Sequence, residues 1–387
     1  LDFKIRGRKM RKNYLLTPGP TPLPPEVSLS MAKPIIHHRT PQFQAILKEA
    51  TDGLRYVFQT TNDVFILTSS GTGAMEASVV NLLSSQDTVI TVQGGKFGER
   101  WTEICKSYGI NTEIIDVEWG KAVDPNEIAR RLKSNPKVKA VFTTLCETST
   151  GVTNDIEAIG RVVKDTEAVL VVDAISGLGA IDLKTDEWSC DVVVSGSQKG
   201  LMLPPGLAFI SVSNKAWKKV SEASCPKYYF DLNKAKKALE KTDTPFTPGI
   251  SLVIALNEAL KIIRQDGLEK IFLRHKKMAE ATRAAIKAMG LRLFAPTAAS
   301  DVVTAVCVPE GIDGEKLVKT MRDTYGVTIA GGQSELKGKV FRIAHMGFIE
   351  ESDIILCIAC LEKVLSQMGY KFNLGVGVKA AEEQFLK

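Results

Sequence analysis

Nowhere in these 387 residues does an apolar run reach membrane-spanning length. The longest runs are strand-length or broken by charge, which excludes a transmembrane helix. A secretory signal is missing too, because the opening LDFKIRGRKMRKNY is basic but has no apolar core. Met10 is a candidate natural start, which makes residues 1–9 an extension of little consequence. Charge of one sign is not concentrated. The formal net charge is +6 with Lys and Arg scattered, so no nucleic-acid face is expected, although the balance suits anionic small molecules. Seven cysteines, an odd number set mostly in apolar runs, read as the reduced thiols of a cytoplasmic protein. Only Cys357 and Cys360, in ILCIACLEKVL, have C-x-x-C spacing; without a second pair for zinc they read as a buried helix face. His37 and His38 are adjacent, and an extended segment would turn them to opposite sides, so no shared metal site is expected.

What is present is alternation. From about residue 44, helical spacing and strand spacing take turns. The strand-like runs are DVFIL, TVITVQ, TEIIDV, KAVFTTL, AVLVVDA, DVVVSGS and LAFISVS. Several are apolar on both faces, which predicts an α/β fold: a mostly parallel, seven-stranded sheet covered by helices. The proline-rich TDTPFTPGISL ends that pattern, and helices and short strands then alternate as in a smaller α+β domain. This divides the chain into an N-terminal arm (1–25), a large domain (26–257) and a small C-terminal domain (258–387). The proline-rich TPGPTPLPP of the arm is expected to lie across the surface near the domain junction.

Four strand exits carry unusual polar residues. TSSGTGAME places Ser70, Gly71 and Thr72 where a strand gives way to a helix, so small residues and unpaired N–H groups can meet a phosphate. This is not a nicotinamide fingerprint, which would need glycine at Glu76, nor a Walker loop, which would end in G-K-[ST]. In VVDAISGLG, Asp173 ends an apolar strand, where an unpaired carboxylate is costly. LCETSTGV brings Thr148, and SGSQKGL brings Lys199. A buried acid, a lysine and a phosphate cradle at one sheet edge suggest pyridoxal 5'-phosphate. Each part has a reason: the lysine bonds the aldehyde, the acid keeps the ring nitrogen protonated and the cradle holds the phosphate.

With HHRTPQF, SSGTGAMEA, ETSTGV, VVDAISGLG, SGSQKGL and FRIAHMG, the chain resembles the class V aminotransferases among the fold-type-I pyridoxal-phosphate enzymes. The likeness is to the alanine–glyoxylate and serine–pyruvate aminotransferase group and runs from about Leu15 to the last helix. The resemblance implies roles for individual residues. Lys199 matches the cofactor lysine and Asp173 the partner of the ring nitrogen. Ser70, Gly71 and Thr72 match the phosphate turn, and Gln198 adds a phosphate contact. Thr148 matches the hydroxyl on the ring oxygen, and Ile175 the apolar residue beneath the ring. Phe97 stands where the family has a stacking aromatic, often tryptophan. Arg342 matches the grip on the substrate α-carboxylate, for which a guanidinium offers two parallel bonds. The TPGP segment around Gly19 borders the substrate. TPFTPGIS resembles the segment that donates a threonine to the neighbouring subunit, which implies a homodimer; Thr244 and Thr247 both fit, with preference for Thr247.

Cysteine desulfurases of the same superfamily need a histidine before the lysine and a loop cysteine before the arginine. Here Gln198 precedes Lys199 and AGGQSELKGKV has no cysteine. A non-catalytic relative is disfavoured because lysine, aspartate and arginine are all retained. The expected activity is amino transfer from alanine or serine to glyoxylate or pyruvate, with no second arginine in a recognised position for a distal carboxylate. Aspartate or phosphoserine is the alternative, through Arg39, Arg100 or Lys227.

Overall fold

The computed structural model describes residues 12–387; the basic segment before them, where Met10 was read as a start, lies outside the described residues. The first long helix, Pro41–Phe58, shows how local chemistry sets the elements. Thr40 accepts from the Phe43 N–H, proline opens the first turn, and Gln59 closes the helix in the left-handed region. Phe43, Leu47, Ala50, Leu54 and Val57 recur at helical spacing and are all buried.

Seven strands form the main sheet: β1 (Asp63–Leu67), β2 (Thr88–Gln93), β3 (Asn111–Asp116), β4 (Ala140–Thr144), β5 (Val169–Asp173), β6 (Val192–Gly196) and β7 (Ala208–Val212). Their spatial order is β1-β7-β6-β5-β4-β2-β3, and only β7 runs against its neighbours. The mostly parallel seven-stranded sheet is as the sequence pattern predicts. Strands β4 to β7 are buried along their whole length, which explains why they read as mostly apolar runs without alternation. One apolar layer gathers Leu54, Ile128 and Leu256, and the other Met75, Trp101 and Phe142.

A smaller antiparallel sheet follows: β8 (Val303–Cys307), β9 (Ala330–Gly331) and β10 (Val340–Ala344), in the order β8-β10-β9. Its core includes Met278, Leu317, Phe341 and Ile358. The helix Ile250–Asp266 spans residue 257 and packs on the large core through Leu256, Leu260 and Ile263. Gly267, at φ 82°, separates it from the helix Leu268–Ala288, which reaches the smaller core at Met278.

Two expectations are corrected. The proline-rich segment lies only partly at the surface: Pro20 and Pro25 are exposed, but Pro18 and Thr21 are buried, as is Leu16 just before it. Tyr14–Leu15 pairs in parallel with Val327–Thr328, and the Leu16 carbonyl accepts from the Ala344 N–H at 2.9 Å. Proline prevents a longer strand but not burial, because it has no N–H to satisfy. His37 and His38 do not point apart either; a turn closed by Thr40 N–H on the His37 carbonyl stacks their rings at 4.7 Å. Cys357 is buried on the helix Glu351–Gln367, as the spacing of the pair suggests, whereas Cys360 is only half-buried.

Two histidines are wholly buried at the junction. His275 Nε2 accepts from the Gly347 N–H, so its Nδ1 donates to the Ile271 carbonyl. His345 lies between the Asp301 carbonyl and Thr304 Oγ1. Burial above all lowers them, His275 to about 4 and His345 to about 3. The unfolded chain therefore takes up protons that the folded chain refuses. Their stabilisation is complete above pH ~6.5 and falls as pH drops toward 4, by about 1.4 kcal/mol per pH unit for each ring. Melting of the apoprotein between pH 7.5 and 4.5 should show this decline, and His345→Gln should flatten it. Parallel profiles for the two proteins would contradict the assignment.

Candidate active site

The strands β1, β2, β4, β5 and β6 all deliver loops to the carboxyl edge of the main sheet, where open α/β sheets form ligand crevices. After β1 the helix Gly71–Leu82 begins at Ser70, whose side chain makes no capping bond. The Gly73 N–H donates to the Ser70 carbonyl at 2.8 Å, and the N–H groups of Gly71 and Thr72 stand at the positive end of the helix dipole with no side-chain cap. Gly71 lies against the Ile175 side chain, which follows β5. The Gln198 Oε1 is buried without a partner, close to the Gly196–Gly71 contact. The chain thus brings Ser70, Gly71, Ile175 and Gln198 together.

Asp173 ends β5, is 5% exposed and accepts from the Ile175 N–H at 2.8 Å. Burial pushes its carboxyl up to about 7, although Arg100 and Lys199 pull the other way. Lys199 follows β6 and is half-buried. Burial brings its amine down to about 8, with Asp173 opposing. Its Nζ donates to the Pro18 carbonyl. Gly19, next in the arm and at φ 127°, leaves no room for a Cβ, which would lie 2.5 Å from Lys199 Nζ. Thr21 Oγ1 donates to the Lys199 carbonyl at 3.0 Å.

Arg342 lies on β10, 5% exposed, and burial lowers it to about 10. Its Nε and Nη2 donate to the Gly331 carbonyl, and its Nη1 donates to the Thr148 carbonyl at 2.8 Å. Five guanidinium N–H groups less these three leave one on Nη1 and one on Nη2. Thr148 is buried, with its hydroxyl 3.4 Å from Ser176 Oγ. Phe97 sits in the first turn of the helix Lys96–Ser107, and Arg100 lies over its ring at 4.9 Å.

Thr244 and Thr247 are set apart, on the loop that meets β1 where the Gly249 N–H donates to Thr68 Oγ1. The Thr244 hydroxyl donates to the Phe246 carbonyl, whereas Thr247 is exposed. Arg100, a candidate for a distal carboxylate, donates to Thr72 Oγ1 at 3.3 Å and shares a helix face with Phe97, three positions before it. Glu147, missed in the sequence, is a buried acid ending a two-residue strand, too short to read as an apolar run.

Known proteins bear on this geometry. The family model for class-V aminotransferases matches residues 13–349. The small subunit of a soluble hydrogenase from Synechococcus sp. (strain PCC 6716) is 47% identical, covering 96% of this chain and 97% of that one. The L-aspartate–glyoxylate aminotransferase of Paracoccus denitrificans is 37% identical over 97% of this chain and 96% of its own. The crystal structure of the ureidoglycine–glyoxylate aminotransferase of Bacillus subtilis superposes with a TM-score of 0.94 at 32% identity, over 99% of this chain and all of that one. With a family match along most of its length and that fold, the chain belongs to the class-V aminotransferases and is a pyridoxal-phosphate-dependent transaminase.

Proposed function

We propose that this transaminase moves the amino group of a small donor, alanine or serine, to a 2-oxo acid, glyoxylate or pyruvate. The observation that carries the reading is Arg342, which keeps one N–H on each of Nη1 and Nη2 for an α-carboxylate. The three cations considered for a second carboxylate are engaged. Arg39 pairs with Asp243, Arg100 bonds Thr72, and Lys227 donates to the Ala223 and Cys225 carbonyls. Of the three, Arg100 alone is hydrogen-bonded only to a hydroxyl and keeps free N–H groups, so a distal carboxylate would have just that guanidinium to pair with.

Three features of the chain fit pyridoxal phosphate: the uncapped helix at Ser70, the partnerless Gln198 Oε1 and the buried Asp173. In this reading Lys199 carries the cofactor and Asp173 bears on its ring nitrogen. Ser70, Gly71, Thr72 and Gln198 hold its phosphate, Phe97 and Ile175 pack its ring, and Thr148 reaches the ring oxygen. Bound, the cofactor supplies an electron-accepting ring that stabilises charge at the substrate Cα. Lys199, lowered to about 8, is suited to take the Cα proton and return it, while Gly19 borders the substrate. The free, mostly buried cysteines support a reducing, cytoplasmic setting.

Half-reactions test the substrate. Holoenzyme is mixed with one amino acid and no acceptor, and absorbance follows conversion of the cofactor to its amine form. Alanine or serine should be fastest, and Lys199→Ala should convert with none. A second reading, aspartate as donor, has the name of the Paracoccus relative in its favour. Aspartate or phosphoserine leading by tenfold, about 1.4 kcal/mol in the barrier, would overturn the small-donor reading and leave the transaminase intact.

Asp173 gives a second test. In the apoprotein its burial opposes folding as pH rises from ~3.8 to 7, by about 4 kcal/mol in full. Asp173→Asn removes that charge. The variant apoprotein should gain stability over wild type between pH 5 and 8 while turnover falls about a hundredfold or more. A variant with wild-type turnover would end the assigned role.

We also propose a homodimer with shared sites. Thr247 is exposed and its neighbour Thr244 is already bonded; Tyr228, 73% exposed, and Tyr229 lie against Phe246 beside them. Thr247→Ala should weaken cofactor binding. Mixed with inactive Lys199→Ala chains, it should regain a wild-type-like site in hybrid dimers. A fully active monomer, or no recovery on mixing, would refute the shared site.

A further inference from the structure

The helix Lys96–Ser107 carries Phe97 and Arg100, yet its own sequence offers nothing to cap it, since Gly95 stands at the N-cap. The cap comes from elsewhere. Glu147 Oε2 accepts from the Phe97 and Gly98 N–H groups at 3.0 and 2.9 Å, and Ser149 Oγ accepts from the Lys96 N–H at 3.1 Å. Glu147 Oε1 holds Ser149 in turn, through its N–H and its hydroxyl. All three leading N–H groups of the helix are therefore satisfied by one turn, residues 147–149. Gly95 is required for the approach, because a Cβ there would lie 2.4 Å from Ser149 Oγ and 2.6 Å from Glu147 Cδ.

The same turn faces the other side of the site. Between Glu147 and Ser149, the Thr148 carbonyl accepts from Arg342 Nη1. Glu147 is 1% exposed and its charge also helps keep Arg342 protonated. We infer that Glu147 is a positioning residue: its carboxylate locks the helix bearing Phe97 and Arg100 to the turn that seats Arg342. It thereby sets the spacing between the ring-packing side and the carboxylate grip. The inference rests on the site roles proposed above. Glu147 itself touches neither substrate nor cofactor in this account; it acts through the groups it holds.

A second buried acid provides the control. Glu362, 2% exposed, likewise accepts from the Gly375, Gly377 and Val378 N–H groups and caps the helix Val376–Phe385, in the smaller core. Glu147→Gln and Glu362→Gln both remove a charged acceptor from a helix N-terminus. Thermal melting, cofactor dissociation constant, the visible circular dichroism of bound pyridoxal phosphate and KM for the amino donor are measured for each. Glu147→Gln should weaken cofactor binding about tenfold, reduce the dichroic band and raise KM. Glu147→Asp should restore part of each, and Glu362→Gln should change melting alone. Wild-type dichroism and KM in Glu147→Gln, or equal changes in Glu362→Gln, would overturn the inference. Wild-type protein that loads cofactor but converts with no amino acid would instead strike the site roles on which it rests.

Discussion

Desolvated charge at one edge of an apolar sheet is the constraint on which the site depends. Asp173, Glu147, Lys199 and Arg342 meet where strands lined with valine and isoleucine end, and burial shifts each toward its neutral form. How each is compensated sorts them. Glu147 has three backbone N–H groups and a hydroxyl, and Arg342 has two backbone carbonyls. Asp173 has one N–H, and Lys199 one carbonyl on its amine. The well-compensated pair is held still by the protein, whereas the poorly compensated pair is where the charges of a ligand complete the balance. The acid and the amine that chemistry assigns to the cofactor are thus also the ones that the fold leaves wanting.

The same desolvation governs the thiols. Burial pushes the thiols of Cys105 and Cys146 up to about 12, far from the thiolate form that binds metal. Among the described residues no three His, Cys, Asp or Glu are grouped to hold an ion. The unbalanced groups are instead a carboxylate and an amine, Asp173 and Lys199, at the edge of the main sheet.

Much of this was legible in the sequence. The central strands stood out because strands buried on both faces leave β-branched runs, and the exits stood out because Asp173 and Lys199 are costly neighbours for such runs. What stayed hidden had its partners far away. Pro18 meets Lys199 across 181 positions, and no periodicity marks that pairing. Glu147 looks like any polar turn residue until the Lys96–Ser107 helix is set beside it, 50 positions away. The histidine pair failed for a local reason: a turn at His37 reverses the alternation that an extended chain would give.

The buried arm ties the two halves of the chemistry together. The Leu16 carbonyl holds the Ala344 N–H, two residues beyond Arg342, and the Pro18 carbonyl holds the Lys199 amine. The strand of Arg342 and the amine of Lys199 are therefore anchored to points two residues apart on one strap. Only Thr17 and Pro18 lie between those two carbonyls, and proline fixes one φ of that short link. A transaminase must present the Cα bond to the amine while the carboxylate is held, and small errors in that placement are costly in rate. Proline content that looked like a bar to structure is, in this fold, what makes the spacer stiff.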